Sequence, residues 1–255
     1  MSDASSGEAA ALLATWLGRI PYRSAWDLQR TLVASRAAGD IPDQLLLLEH
    51  DPVLTLGRQA DESHVLASPR ELRRRAIEVI RVERGGEVTY HGPGQLVAYP
   101  ILRLADRRIL VRPLVAALEA AMIRTCEELG VAAYRRDGHP GCWVDAGPGR
   151  APRKIGALGL RIERGVSYHG VALNIDVDLR DFELIDPCGM PGLDSTSIAE
   201  ELGRTAEPPT TAAVERAGRI FADAFAAGIG APLETGDPAL LPERAASPPA
   251  GATAA

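Results

Sequence analysis

The sequence predicts a mixed domain of the α/β (α+β) class, and three observations carry that expectation. Apolar runs of strand length alternate with segments of helical periodicity along most of the chain. One segment is plainly helical: over Pro113–Leu129, residues Leu114, Leu118, Met122, Cys126 and Leu129 recur at helical spacing and form a single apolar face. Two further runs, Ile155–Glu163 and Val166–Ile175, read as strands joined by Arg164-Gly165, a two-residue hairpin signal.

The other elements follow in chain order. Residues 1–11 show no apolar pattern and are expected to be disordered. A strand near Leu13–Leu17 leads into a helix from Tyr22 to Ala38, stopped by Gly39. Gln44–Glu49 is an apolar run between Pro42 and Pro52, the pattern of a buried strand. Pro69–Arg75 reads as a short helix with proline near its start, and Ile77–Arg81 and Gln95–Leu102 read as strands. Gly130 ends the strong helix, and Cys142–Asp145 forms another strand. Asp194 is placed to cap a short helix through Glu201, and Thr210 or Thr211 to cap a last helix to about Phe225. One domain over residues 12–230 is expected, with a disordered tail over 231–255 rich in Pro, Ala and Gly.

Composition narrows the function. The chain has 255 residues, 46% of them hydrophobic, 24% charged and only 4% aromatic, so aliphatic side chains must fill the core. A net charge of −6 argues against broad binding to nucleic acid or a membrane surface. The N-terminus lacks a basic region followed by a sustained apolar run, so neither a signal peptide nor a membrane span is expected. Three cysteines do not make a disulfide framework, and a reducing, cytoplasmic setting fits them better.

Single residues narrow it further. Of 28 basic residues only Lys154 is a lysine, and lysine is the basic side chain that an environment can deprotonate. Cys126 lies on the apolar face of the strong helix and Cys142 at a strand start, so both read as structural. Cys188 differs. It sits in Asp186-Pro-Cys-Gly-Met-Pro-Gly192, where prolines and glycines forbid a regular element and leave a thiol in an accessible turn.

After Lys154, alternation assigns Ile155, Ala157 and Gly159 to one strand face and Lys154, Gly156 and Leu158 to the other. Gly170 and Ala172 on the partner strand are again small. Either the missing side chains leave a slot for an alkyl chain, or they allow close packing. Arg84–Gly94 is also glycine-rich but lacks the ending of a phosphate-binding loop. His91 and His169 share the context Tyr-His-Gly and are expected to flank a pocket. No metal-ligand spacing is evident, and neither a metal nor another cofactor is expected.

Four ordered segments resemble the lipoyl(octanoyl) transferase family: Arg84–Gln95, Lys154–Arg161, Gly165–Asn174 and Asp186–Gly189. The resemblance spans roughly Leu13 to Phe225. It implies the single catalytic domain shared with biotin and lipoate protein ligases, with a larger mixed sheet and a smaller sheet flanked by helices. It also implies transfer of an octanoyl group from octanoyl-acyl carrier protein to a lysine of a lipoyl domain, through a thioester on the enzyme. By the same resemblance Cys188 is the nucleophile and Lys154 its partner. The acyl-binding positions are Arg84, Gly85, Gly86, Glu87, Val88, Thr89, Tyr90 and His91, then Ala157, Leu158 and Gly159, then Gly170, Val171 and Ala172. The implied acceptors are lipoyl domains of 2-oxoacid dehydrogenase E2 subunits and the glycine cleavage H protein. Such acidic partners would dock on Arg58, Arg73–Arg75 or Arg135–Arg136. The rival readings are an ATP-dependent ligase on the same fold, a non-catalytic acyl-carrier binder, and a cysteine hydrolase using His169.

Overall fold

A computed structural model describes residues 10–204 and 210–242. Its elements run β1 (Leu12–Ile20), α1 (Tyr22–Ala38), β2 (Asp43–His50), β3 (Val53–Leu56), α2 (Pro69–Arg74), β4 (Glu78–Arg81), β5 (Val88–His91) and β6 (Gln95–Ile101). They continue with α3 (Val111–Glu128), β7 (Tyr134–Arg136), β8 (His139–Val144), β9 (Arg153–Glu163), β10 (Val166–Asn174), α4 (Ile198–Glu201), α5 (Thr211–Gly228) and β11 (Leu233–Thr235). Eight strands form a mixed sheet in the order β11-β1-β2-β6-β10-β9-β8-β7, and β4-β3-β5 form a small second sheet. The expected pairing of a larger mixed sheet with a smaller one is what the chain builds.

The large sheet is covered on both faces, and β2 shows how. Its four consecutive leucines alternate: Leu45 and Leu47 join the cluster with α3 and α5, while Leu46 and Leu48 join the cluster with α1. A strand buried on both faces reads as an unbroken apolar run, as this one does. The β9–β10 turn is also as the sequence signals. Arg164 and Gly165 both have positive φ, at 51° and 77°, as a type I′ hairpin requires.

Some expectations need correction. The short helix α4 is capped by the Ser197 side chain, which accepts from the Glu200 amide at 3.1 Å, and not by Asp194. The carbonyl of Asp194 accepts instead from the Lys154 amide, at 2.9 Å. Residues 231–242, expected to belong to a disordered tail, are among the described residues, and Leu233–Thr235 pair in parallel with Leu12–Ala14. Apolar Leu233 and a free sheet edge suffice to order so short a segment. Residues 1–9 and 243–255 lie outside the described residues. Strands β3, β5 and β7 were not anticipated; each has four residues or fewer, too short to show a period.

Glycine at position 170 serves the sheet. A Cβ there would lie 2.1 Å from the carbonyl oxygen of Ala98 on neighbouring β6. Gly170→Ala is expected to destabilise the fold by about 1–3 kcal/mol through forced backbone shifts, measurable as a lowered urea midpoint.

His50, at the end of β2, is fully buried between the Ile20 carbonyl at 3.0 Å and the Tyr99 hydroxyl at 2.8 Å. Burial pushes its imidazole down from 6.5 to about 4, so it is neutral in the folded protein. The unfolded chain then takes up a proton that the folded one refuses. This contribution to stability is complete above about pH 6.5 and is lost as pH falls toward about 4, up to about 3 kcal/mol. Urea unfolding between roughly pH 7.5 and about pH 4.5 should show at least that loss, since buried His91 and His169 are also held neutral, and His50→Gln should remove only its own share.

Candidate active site

Lys154 and Cys188 lie 34 positions apart in sequence, yet the Lys154 Nζ donates to the Cys188 Sγ at 3.1 Å. The backbone arranges this. The segment following Cys188 runs beside the start of β9, where the Lys154 amide donates to Asp194 and the Lys154 carbonyl accepts from the Thr196 amide at 3.0 Å. Cys188 itself occupies a single 3-10 turn over Pro187–Gly189, half-buried, with φ 61° and ψ 22°. That is the left-handed region, uncommon for a non-glycine residue and a mark of locally stored strain. The turn is anchored by the Asp186 amide donating to the His64 carbonyl at 2.8 Å. Within it the Gly189 and Met190 amides are already bonded to Asp186 and Pro187 carbonyls, so they are not open donors for an oxyanion.

A bulge sets the face of Lys154. Trp143 pairs with Lys154 but Cys142 pairs with Gly156, so Ile155 is an extra residue on β9. Ile155 and Gly156 consequently both turn toward the core, where a Cβ on Gly156 would meet Met122 Sδ at 2.8 Å. Lys154 joins Ala157 and Gly159 on the pocket side, which strict alternation had denied. Buried Trp143 steadies the lysine: the Nζ lies 5.1 Å from the ring centroid, and the indole N–H donates to the His139 carbonyl at 2.9 Å. Gly141 makes room for it, since a Cβ there would be 2.9 Å from Lys154 Cε.

Behind the pair opens a cavity of about 430 Å³, within the usual range for small-ligand sites. It is lined by Arg84 through Thr89 and His91, by Ala157, Leu158 and Gly159, and by Gly170, Val171 and Ala172. Tyr90 is the one expected acyl-binding residue that does not line it. Its ring projects from the other face of β5 and packs edge-on against Phe182 at 5.5 Å, as alternation along a strand requires. His169 lines the cavity with His91, as the shared Tyr-His-Gly context suggested. Tyr22, Gln59, Tyr99, Pro140 and Leu160 also line it and were not foreseen. Tyr22 and Tyr99 reach it from α1 and β6, and only the three-dimensional fold brings them there.

The small residues act mainly through backbone approach. A Cβ on Gly159 would lie 2.8 Å from the Gly85 carbonyl oxygen, and the Gly85 amide donates to Leu160 O at 3.0 Å. The glycines thus let the Arg84–Gly86 loop close over β9 as a wall of the cavity. Arg84 is buried there, its guanidinium donating to the Thr55 carbonyl at 2.6 Å, the Thr55 hydroxyl and Gly85 O, and among the described residues it forms no ion pair. Burial lowers its pKa. Cys126 and Cys142 are both buried, as expected of structural cysteines.

Among the described residues no three His, Cys, Asp or Glu side chains converge as metal ligands, and no helix is long and apolar enough to cross a membrane. Of the arginines suggested for docking, Arg74 and Arg75 pair with Glu71, Arg135 pairs with Glu119, and Arg136 stacks on Trp143 at 5.0 Å. Arg58 is exposed beside Gln59 at the mouth of the cavity.

Known proteins share this fold and sequence. A lipoate-protein ligase A crystallised with ATP superposes with a TM-score of 0.61 over 89% of this chain and 88% of its own, at 13% identity. A bipartite lipoate protein ligase from Thermoplasma acidophilum superposes with a TM-score of 0.60 over 89% of this chain and 87% of its own, at 12% identity. At such identities the likeness is one of fold. Sequence similarity is far stronger to octanoyltransferases. That of Chloroflexus aurantiacus is 47% identical over 81% of this chain and 92% of its own, and that of Acidobacterium capsulatum 45% identical over 80% and 88%. Residues 21–222 match the family described as the lipoyl protein ligase A/B catalytic domain. The chain therefore belongs to the octanoyltransferases, acyltransferase enzymes built on the lipoyl protein ligase A/B catalytic domain.

Proposed function

We propose that this enzyme moves an octanoyl group from octanoyl-acyl carrier protein to a lysine of a lipoyl domain through a thioester on Cys188. The observation that supports this most is the 3.1 Å contact between Lys154 Nζ and Cys188 Sγ beside a half-enclosed, largely apolar cavity. A thiolate is the attacking species, and an ammonium at that distance favours it by charge pairing. Attack on the donor thioester forms the Cys188 thioester and releases the carrier thiolate, which takes a proton from the Lys154 ammonium. The acceptor lysine then attacks as a neutral amine. Lys154, now neutral, removes its proton as the Cys188 thiolate leaves and the amide forms. One thioester replaces another of similar energy, so no ATP is required. The acyl chain, about seven methylene and methyl groups, would contribute about 5–6 kcal/mol on burial in the cavity, enough to hold the intermediate.

The acceptors are proposed to be lipoyl domains of 2-oxoacid dehydrogenase E2 subunits and the glycine cleavage H protein. The fold shared with a lipoate ligase reported together with its E2 lipoyl domain supports this. Arg58 at the cavity mouth supplies a positive charge for acidic partners. The described chain, with its free cysteines, suits a reducing cytoplasm.

Incubation with octanoyl-acyl carrier protein should raise the intact mass of the protein by one octanoyl group without ATP. Cys188→Ser should show no increment, and an unchanged increment in that variant removes the thiol from the mechanism. Lys154→Arg keeps a cation but not a working base, and transfer to a lipoyl domain should fall by about 10²–10⁴-fold. Normal turnover in Lys154→Arg would show that the lysine is not the proton carrier.

A further inference from the structure

The far end of the cavity is not apolar. Four ring-bearing residues line it, Tyr22, His91, Tyr99 and His169, each at most 6% exposed. The rings touch in sequence: Tyr22 stacks with His91 at 5.9 Å between centroids, and Tyr99 meets His169 edge-on at 6.3 Å. His91 has partners, with Nδ1 at 2.7 Å from Gln95 Oε1 and Nε2 at 3.4 Å from Thr55 Oγ1. His169 has none. Among the described residues neither its Nδ1 nor its Nε2 meets a hydrogen-bond partner, although the residue is only 1% exposed. Burial keeps the ring neutral, pushed down to about 3, so it offers one donor and one acceptor. Its backbone is held at φ 54°, with the amide donating to Gln29 Oε1 at 2.7 Å. Buried polar atoms left open in a strained residue that lines a cavity are a sign of a ligand contact.

Strand register gives the distance. His169 pairs with Leu160, six positions along β9 from Lys154, which is about 17–20 Å of strand. An extended octanoyl chain, at about 1.2 Å per bond, reaches only about 9 Å from its carbonyl. The cavity therefore continues past the end of that chain, and what it meets there is an imidazole seeking partners.

We propose that the floor around His169 is a hydrogen-bonding subsite for the distal end of the acyl chain. It takes medium-chain acyl groups of about ten carbons bearing an ω-hydroxyl in preference to the plain alkyl chain of the same length: the oxygen lies about 12 Å from the carbonyl carbon, and the thioester bond and one hydrogen bond add about 5 Å, which spans about 17 Å. This rests on the acyl-transfer reading above and extends it to the far end of the cavity. A hydroxyl can donate or accept, so it satisfies whichever ring nitrogen faces the acyl chain in either tautomer, while a methyl terminus leaves that nitrogen dry and unpaired.

The test is a competition between equimolar decanoyl and 10-hydroxydecanoyl pantetheine thioesters, read as the ratio of the two adduct masses on Cys188. The wild type should favour the hydroxylated adduct by about five- to tenfold, the worth of one buried hydrogen bond. His169→Phe should bring the ratio to about one, and His169→Asn, which tolerates positive φ and restores a donor and an acceptor, should keep part of the preference. Equal ratios in the wild type and His169→Phe overturn the subsite. Equilibrium binding of the two free acids to Cys188→Ala reads the same preference without acyl transfer, and settles the matter where His169→Phe does not fold. A preference there with no adduct in the wild type sinks the transfer mechanism alone. Adducts without a preference sink the subsite alone.

Discussion

The pairing of Lys154 with Cys188 depends on a stretch of backbone, not on the two side chains. Two hydrogen bonds, from the Lys154 amide to Asp194 and from the Thr196 amide to Lys154, lay the segment after Cys188 along the first residues of β9. The turn that carries the thiol is anchored on its other side at His64. A lysine side chain has rotamer freedom that a charge pair must overcome, and an exposed pair rarely does so unaided. Here the stem is confined by the Trp143 ring and the bare Gly141, so much of that freedom is removed by packing. The amine and the sulfur meet because the sheet leaves them little else to do.

The bulge at Ile155 links this arrangement to the core. Were Ile155 paired in unbroken alternation, Lys154 would share a face with Gly156 and point at Met122, deep among aliphatic side chains. A single inserted position inverts the alternation once, so the same strand supplies a core residue, a cationic group and an acyl-facing wall. Bulges commonly re-aim side chains next to functional sites in this way.

Much of this was legible from the residues. The helix over Tyr22–Ala38 appears between the limits the sequence marks, because Gly39 at φ 88° is a termination signal that depends on no tertiary contact. The hairpin at Arg164-Gly165 was legible for the same local reason. Cys188 stood out through its prolines and glycines and Lys154 through being the sole lysine, while their meeting across 34 positions was implied only by family resemblance. The bulge was hidden, since nothing in Lys-Ile-Gly-Ala shows where pairing slips. Tyr90 belongs to the same contiguous motif yet stays off the cavity lining, because a strand sends neighbouring residues to opposite sides. Tyr22 and Tyr99 were invisible as site residues because each sits in an ordinary apolar pattern and reaches the cavity only once α1 lies across β6 and β10.

Strand β11 looks dispensable by composition, yet it occupies the outer margin of the large sheet, beside Leu12–Ala14 of β1. The Leu12 amide is bonded to the Pro232 carbonyl and the Gly236 amide to the Ala14 carbonyl. Ending the polypeptide at the close of α5 would strip those partners away and leave the main-chain groups at the start of the nine-residue strand unsatisfied. Such groups are a template for a second molecule to add its own strand. Strand β11 thus guards the sheet edge against a second molecule, a duty unrelated to acyl chemistry.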